Sequence, residues 1–238
     1  MKIAIIGYGK MGKAIEEIAL QQGHEIVLKV NSDNKELLAI PTLQQADVAI
    51  EFTAPESAIE NIERCFQAGV PLVCGTTGWT NALPQIQSRC ASLNGSMVYA
   101  SNFSIGVNLF FELNTKLATL MANQTQYEVI LEEIHHTQKK DAPSGTALTL
   151  ASQILAHNKR KKQWVNDISD NPEDLEIISQ RIDPTPGTHR VKYASVVDDI
   201  EIIHTAHNRT GFAAGAVLAA NFIKDRKGFY TMREVLGF

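Results

Sequence analysis

The stretch "IAIIGYGKMGKAI", Ile3 to Ile15, decides the fold. Four apolar residues lead into Gly7, Gly9 and Gly12, spaced as G-x-G-x-x-G, and a helical pattern begins at once. Met11, Ile15, Ile18 and Ala19 fall on one face of that helix, while Lys10, Glu16, Glu17 and Gln21 point elsewhere. Gly23 ends it. Glycines at this spacing permit a tight turn and let a pyrophosphate approach the backbone, where helix N–H groups and the helix dipole hold it. With a strand before and a helix after, Gly7, Tyr8, Gly9, Lys10, Met11 and Gly12 form a candidate dinucleotide loop; a purely structural turn is the alternative.

The same grammar continues to about residue 103. "EIVLKV", "DVAIEFT", "PLVCGTT" and "SMVYASN" are short β-branched runs, and helical patterns or Pro/Gly turns separate most of them. Repeated βαβ units predict a parallel sheet covered on both faces. Ligands of such sheets bind beyond the carboxyl ends of the strands. Gly75, Thr76 and Thr77 are therefore candidates for the nicotinamide side, and Ala100, Ser101, Asn102 and Phe103 repeat the logic at the fifth strand. At the end of the second strand, where an acid commonly binds the adenosine ribose, "NSDNK" offers Asn31, with Asp33 and Lys35 beyond. Asn31 does not repel a 2'-phosphate, and Lys29 and Lys35 could meet one, while Asp33 could serve the ribose diol. The choice between NADH and NADPH stays open.

From about Ser104 the pattern changes. A long helix is followed by the strand "YEVILEEIHHT", a helix from Ser144 to about Ala156, and the strand candidates "EIISQRID", "HRVKYASVV" and "DIEIIHTAH". Strands in succession mean a mixed or antiparallel sheet. The Ala-rich helix "GFAAGAVLAANFIKD" then returns to the first domain. The expected class is α/β: a Rossmann-like parallel-sheet domain from 1–103 plus 213–238, and an α+β substrate domain with a mixed or antiparallel sheet from 104–212.

With 238 residues, 44% hydrophobic, the chain can bury a full core. A net charge of -4 gives no reason to expect nucleic acid or an anionic membrane as partner. The one basic run, Lys159 to Lys162, reads as a solvated helix end or loop. Cys65, Cys74 and Cys90 match neither a zinc-ligand spacing nor a disulfide framework, so reduced, buried thiols are expected. No apolar run approaches the roughly 18 residues a bilayer span needs, and a cytoplasmic protein is expected.

The chemistry concentrates in "EEIHHTQKKDAPSGTAL", Glu132 to Leu148. Strand alternation puts His135 and His136 on opposite faces, so they do not share one task. Lys139 and Lys140 make the corner cationic. Ser144 is a sound N-cap, and the N–H groups of Gly145 and Thr146 suit a carboxylate. A small anionic substrate is implied; a solvated charged loop, or a capped helix without ligand, are the bland alternatives. A metal site lacks a third ligand in the sequence, and none is expected.

This corner resembles the signature H-H-x-x-K-x-D-A-P-S-G-T-A of the dihydrodipicolinate reductase family, and "GYGKMGKAI", "EFTAPES", "CGTTGW", "ASNFSIGVN", "PGTHRV" and "GFAAGAVLAANF" follow the family's order over nearly the whole chain. The resemblance implies reduction by NADH or NADPH of the cyclic imine formed when 4-hydroxy-tetrahydrodipicolinate loses water, within lysine and diaminopimelate biosynthesis. It implies His135 as proton donor or acceptor, Lys139 as proton donor, and His136, Gly145 and Thr146 on a substrate carboxylate, with Asp141 orienting the loop. It further implies a homotetramer associating through the second domain. Two departures stand out: Asn31 replaces the acid or acid-arginine pair of many relatives, and the segment between the second and third strands is trimmed. Rival readings are another small imine or amino-acid dehydrogenase, such as aspartate dehydrogenase, or a nucleotide-sensing protein without turnover. A proton-donating His135 and Lys139 argue against the sensor, and the "DAPSGTAL" helix start favours a dicarboxylate.

Overall fold

The computed structural model describes residues 1–208 and 210–238; Arg209, whose role the sequence leaves open, lies outside the described residues. In chain order the elements are β1 (Lys2–Ile6), α1 (Lys10–Gln21), β2 (Glu25–Val30), α2 (Ile40–Leu43), β3 (Val48–Glu51), α3 (Pro55–Ala68), β4 (Leu72–Cys74), α4 (Leu83–Ser92), β5 (Ser96–Tyr99), α5 (Ile105–Met121), β6 (Glu128–His135), α6 (Gly145–His157), β7 (Gln163–Val165), β8 (Asp174–Arg181), β9 (Gly187–Ala194), β10 (Asp199–Ala206), α7 (Thr210–Ile223), β11 (Gly228–Tyr230) and α8 (Met232–Leu236). They form two compact units, Met1–Ile105 with Thr210–Phe238, and Gly106–Arg209. The breaks fall close to the openings of α5 at Ile105 and α7 at Thr210.

The first unit is a six-stranded parallel sheet in the order β11-β5-β4-β3-β1-β2. Alternation along β1 sends Ala4 and Ile6 into one core with Ile62, Cys65, Phe66, Ile86 and Cys90 of α3 and α4. Ile3 and Ile5 enter the other, with Ile15 and Ala19 of α1 and Ala213, Ala216, Val217 and Ala220 of α7. Burial on both faces explains why the strands read as unbroken apolar runs. Each isoleucine so buried contributes about 1.5–3 kcal/mol. Small residues let α7 approach closely: a Cβ on Gly215 would stand 1.7 Å from the Phe103 carbonyl oxygen. Strand β1 lies between β2 and β3, so the chain changes direction across the sheet there and opens a crevice beyond the strand ends. Edge strand β11 and the capping-box helix α8 escaped the sequence reading, because three residues of strand and five of helix carry no period.

The second unit holds a five-stranded sheet ordered β10-β9-β6-β8-β7. Strand β6 runs parallel to β8 and antiparallel to β9, so the sheet is mixed. Helices α5 and α6 cover one face through Phe110, Met121, Leu150 and Ile154, packed on Val129, Leu131, Leu175, Ile177 and Val191. The basic run is not simply solvated. Lys161 is buried, with its ammonium 3.1 Å from Glu128 and 3.0 Å from the Pro172 carbonyl, and Arg160 pairs with Glu128 at 2.5 Å. Sequence composition does not reveal that β6 begins with a carboxylate facing this run.

Candidate active site

In the first unit, Gly7 takes φ +98°, and a Cβ there would lie 2.0 Å from the Phe52 carbonyl oxygen; only glycine passes between β1 and the end of β3. The amides of Gly7 and Tyr8 both donate to Val30 O at 2.8 Å, which ties the loop to the end of β2. A Cβ on Gly12 would meet Gly7 O at 2.5 Å, so this glycine serves helix–strand contact. Gly9, at the N-cap of α1, brings no side-chain cap, leaving the first helical N–H groups to an anion.

Two cavities open around this turn. One, of about 590 Å³, is lined by Gly7, Tyr8, Gly9 and Asn31 together with Ser32, Lys35 and Arg64. The other, of about 330 Å³, is lined by Gly7, Gly9, Lys10, Met11, Gly75, Thr76 and Thr77, together with Phe52, Thr53 and Pro55. Glycine-lined crevices on either side of a helix N-terminus fit the two halves of a dinucleotide. Asn31 lies in an Asx-turned loop: its Oδ1 accepts from Asp33 N at 2.8 Å, and its own N–H donates to Asn34 Oδ1 at 2.7 Å. Lys29 pairs with Glu16 at 2.5 Å, with its ammonium 5.0 Å from the centre of the Tyr8 ring, and Lys35 is the lysine lining the larger cavity.

Ala100, Ser101, Asn102 and Phe103 line neither cavity. Phe103 is 1% exposed and packs 5.7 Å from Phe52, centre to centre, so its side chain belongs to the core; Asn102 Oδ1 accepts from Ser104 N at 2.8 Å. Beneath the cavities lies buried Glu51. Its carboxylate accepts from Thr53 N at 3.1 Å, Thr76 Oγ1 at 3.0 Å, Cys74 Sγ at 3.1 Å, Asn61 Nδ2 at 3.4 Å and the Thr53 hydroxyl. Burial, with Glu51 beside it, pushes the Cys74 thiol well above its ordinary pKa and keeps it a donor.

In the second unit the register of β8, β6 and β9 sets Ser179, Glu133 and His189 in one row across the sheet. Alternation puts Val129, Leu131, Glu133 and His135 on the buried face. His135 and His189 meet edge to face at 5.1 Å; His136 is half-buried and lies one residue beyond the end of β6. Burial lowers the His135 pKa to about 4; Glu133 opposes the shift, and His189, Lys139 and Arg181 reinforce it. The imidazole is neutral at physiological pH. Lys139 Nζ donates to both oxygens of Asp141 at 2.8 Å, and the bond holds the Asp141 carboxyl below its usual range against the opposing effect of burial.

Ser144 caps α6, its Oγ accepting from Ala147 N at 3.2 Å. Gly145 faces open space, and Thr146 follows half-buried in the first turn. A Cβ on Gly187 would press within 3.2 Å of His135 Nε2. Arg181, unnoticed in the sequence, donates to the carbonyls of Lys139 and Asp141 and to Glu133, binding the corner loop to β8. Glu133 was overlooked too, although an acid on the apolar phase of an alternating strand was its visible signal.

The fold also supplies a geometric third ligand that the sequence reading could not find: ligand atoms of Glu133, His135 and His189 lie within 4.8 Å of one another. Both Glu133 oxygens, however, already accept from Ser144 N–H, at 3.1 Å each, and Ser179 and Arg181 add donors to one of them. Within the cluster Glu133 is the hydrogen-bonded member, while the Nδ1 atoms of His135 and His189 are buried without a hydrogen-bond partner.

One unit can hold a hydride donor, and the other can hold an anion beside proton-bearing groups. That division defines the class, a nicotinamide-dependent oxidoreductase. Residues 1–103 match the family profile described as dihydrodipicolinate reductase, N-terminus, and residues 106–236 match the C-terminus profile. The chain belongs to the dihydrodipicolinate reductase family. It is 48% identical over 238 residues to 4-hydroxy-tetrahydrodipicolinate reductase of Christiangramia forsetii, covering 99% of this chain and 98% of that protein. It is 35% identical to the enzyme of the same name from Methanosarcina acetivorans, covering 99% and 89%. Among solved structures, a dipicolinate-bound dihydrodipicolinate reductase from a Paenisporosarcina species aligns over 97% of both chains with a TM-score of 0.76 at 24% identity.

Proposed function

We propose that this protein reduces the dehydrated form of 4-hydroxy-tetrahydrodipicolinate to tetrahydrodipicolinate with NADH or NADPH, in lysine and diaminopimelate biosynthesis. The carrying observation is the full-length 48% identity to a 4-hydroxy-tetrahydrodipicolinate reductase, joined to the intact His135-to-Ala147 corner. NADH or NADPH, with its pyrophosphate held at the Gly7–Gly12 turn, would supply the hydride. Gly7, Tyr8, Gly9, Lys10, Met11 and Gly12 hold the pyrophosphate and flanking groups, Asn31 meets the adenosine ribose, and Gly75, Thr76 and Thr77 border the nicotinamide side. The backbone of Ala100 to Phe103 is assigned to the same side.

His136 and the N–H groups of Gly145 and Thr146 bind a substrate carboxylate at the start of α6. Hydride forms a C–H bond at a ring carbon, the electron pair moves through the conjugated system, and a proton from the enzyme completes the reduction. Lys139 is assigned as proton donor, its ammonium held by Asp141. His135, neutral in the free protein, is assigned as proton donor or acceptor beside it.

The uncovered face of the second sheet supports association of copies into a homotetramer. It carries exposed Ile203 beside half-buried Ile130, Ile134 and Ile178, and the pairs Glu132–Arg190 (3.1 Å) and Lys192–Asp199 (2.6 Å). Sedimentation of the purified protein reads the subunit count, and a monomer at assay concentration refutes this part. Among the described residues no helix is long and apolar enough to cross a membrane, and three free buried thiols suit a cytoplasmic setting.

The deciding experiment follows reduced-nicotinamide absorbance with freshly generated 4-hydroxy-tetrahydrodipicolinate, in parallel with NADH and NADPH. Substrate-dependent oxidation is expected, and the ratio of the two rates answers the question posed by Asn31. Nucleotide binding without oxidation would refute the reading.

A further inference from the structure

We propose that Glu133 is the positioning residue of the reacting corner: one buried carboxylate holds the capping residue of α6 by hydrogen bonds and places its charge beside the imidazole of His135. Glu133 has no exposed surface. Ser144 N–H donates to both its oxygens at 3.1 Å, so the place of the α6 cap, and of the Gly145 and Thr146 amides after it, depends on this side chain. The same carboxylate accepts from Ser179 Oγ at 2.9 Å and from Arg181 Nη2 at 3.2 Å. Its Oε2 lies 3.5 Å from His135 Nδ1 and 3.6 Å from His189 Nε2. His189 closes the ring, with Nε2 3.1 Å from Ser144 Oγ.

A purely structural site at this position would be better served by an apolar residue, as at Val129 and Leu131 on the same face, because a buried ionised group costs more to desolvate than it returns in packing. The carboxylate is nonetheless ionised: burial would raise its pKa, but donors on His189, Ser144 and Ser179 outweigh burial and hold it well below the usual range. Of the charged and titratable groups acting on His135, namely Glu133 on its own strand, His189 on β9, Arg181 on β8 and Lys139 on the following loop, Glu133 is the anion. At 3.5 Å, with no hydrogen bond to the ring, its charge favours the tautomer with the proton on Nδ1 and the lone pair on Nε2, the nitrogen beside Gly187. Glu133 thus aligns a substrate-binding helix end with a proton-handling ring through a single group.

The inference rests on the reading that His135 and the α6 turn form the reacting corner. Its test compares the full-length protein with Glu133→Gln, Glu133→Asp and Ser179→Ala. Dissociation constants for dipicolinate and for NADPH are measured by calorimetry, together with kcat, KM and thermal unfolding. For Glu133→Gln, the dipicolinate dissociation constant should rise and kcat should fall by about tenfold each, while NADPH binding stays within about twofold. Glu133→Asp, keeping the charge, should recover part of both losses. A lowered unfolding temperature with unchanged kcat and dipicolinate binding would reduce Glu133 to a structural residue and overturn the proposal. If the glutamine variant does not fold, Ser179→Ala decides, because it removes one neutral donor; about a threefold loss in the same two constants is expected, and no change refutes the idea. Failure of the wild-type protein to oxidise NADPH would count against the proposed reaction alone, since the dipicolinate measurements still report on Glu133.

Discussion

Glu51 in the first unit and Glu133 in the second are both buried carboxylates, and the protein solvates them in opposite ways. Glu51, at the end of β3, is surrounded by neutral donors: an amide N–H, two threonine hydroxyls, an asparagine and a thiol. Among the described residues no lysine, arginine or histidine pairs with it. Glu133, on β6, takes Ser144 and Ser179 but also Arg181, with two imidazoles at ion-pair distance. The first network ties two loops, after β3 and β4, into one floor for a nucleotide. The second gathers donors from β8 and the start of α6, with His189 of β9 at ion-pair distance, around one charge. A carboxylate among neutral dipoles gives shape, whereas one among titratable groups gives shape and electrostatics together.

The largest expected effect tests that division from the charged side. Lys139→Ala removes the ammonium held by Asp141 and should lower kcat by about 10²-fold or more, the range of a lost general acid, with NADPH binding within about twofold. A comparable loss of NADPH affinity would mean that the corner supports folding and would erase the contrast between units.

Acid should separate the networks next. His135 titrates near 4 in the folded protein and near 6.5 when unfolded, so the unfolded chain binds more protons between those values. The stability tied to the neutral ring is fully present above about pH 6.5 and drains as pH falls toward about 4, by about 3 kcal/mol across the window. Glu133, whose folded pKa is depressed, adds a loss that begins only below the ordinary carboxylate value of about 4.3. Urea unfolding measured from about pH 7 to pH 4.5 should therefore show a falling midpoint that flattens in His135→Asn. Equal slopes in the two proteins would show that another group governs acid stability.

The smallest effect concerns the neutral tether. Glu51→Gln keeps the shape but places an amide among five donors, and should raise the dissociation constant for NADPH by about fivefold while leaving dipicolinate binding unchanged. An altered dipicolinate constant would show that Glu51 reaches beyond its own unit's ligand.

Much of this was readable from the chain. The glycine turn at Gly7, the five parallel strands and the mixed second sheet follow from local period and turn chemistry, and the His135-to-Ala147 signature carries the family resemblance. The misses share a cause. Strands β7 and β11 are three residues long and have no period to detect. For Phe103 the chain alone did not show that the side chain turns into the core, where α7 brings Gly215 against its backbone from more than a hundred residues away. Lys161 looked solvated until Glu128 was placed beside it.

Strand, helix and turn are encoded within a few residues, so Ile3 to Ile15 specify their own conformation and Ser144 its own cap. Partnership across a sheet is not local. That Ser179, Glu133 and His189 form one row follows from the register of β8 and β9 on β6, which depends on how the whole unit packs. The signature residues were therefore legible as letters, while the carboxylate at their centre became visible only when three strands separated by dozens of residues were laid side by side.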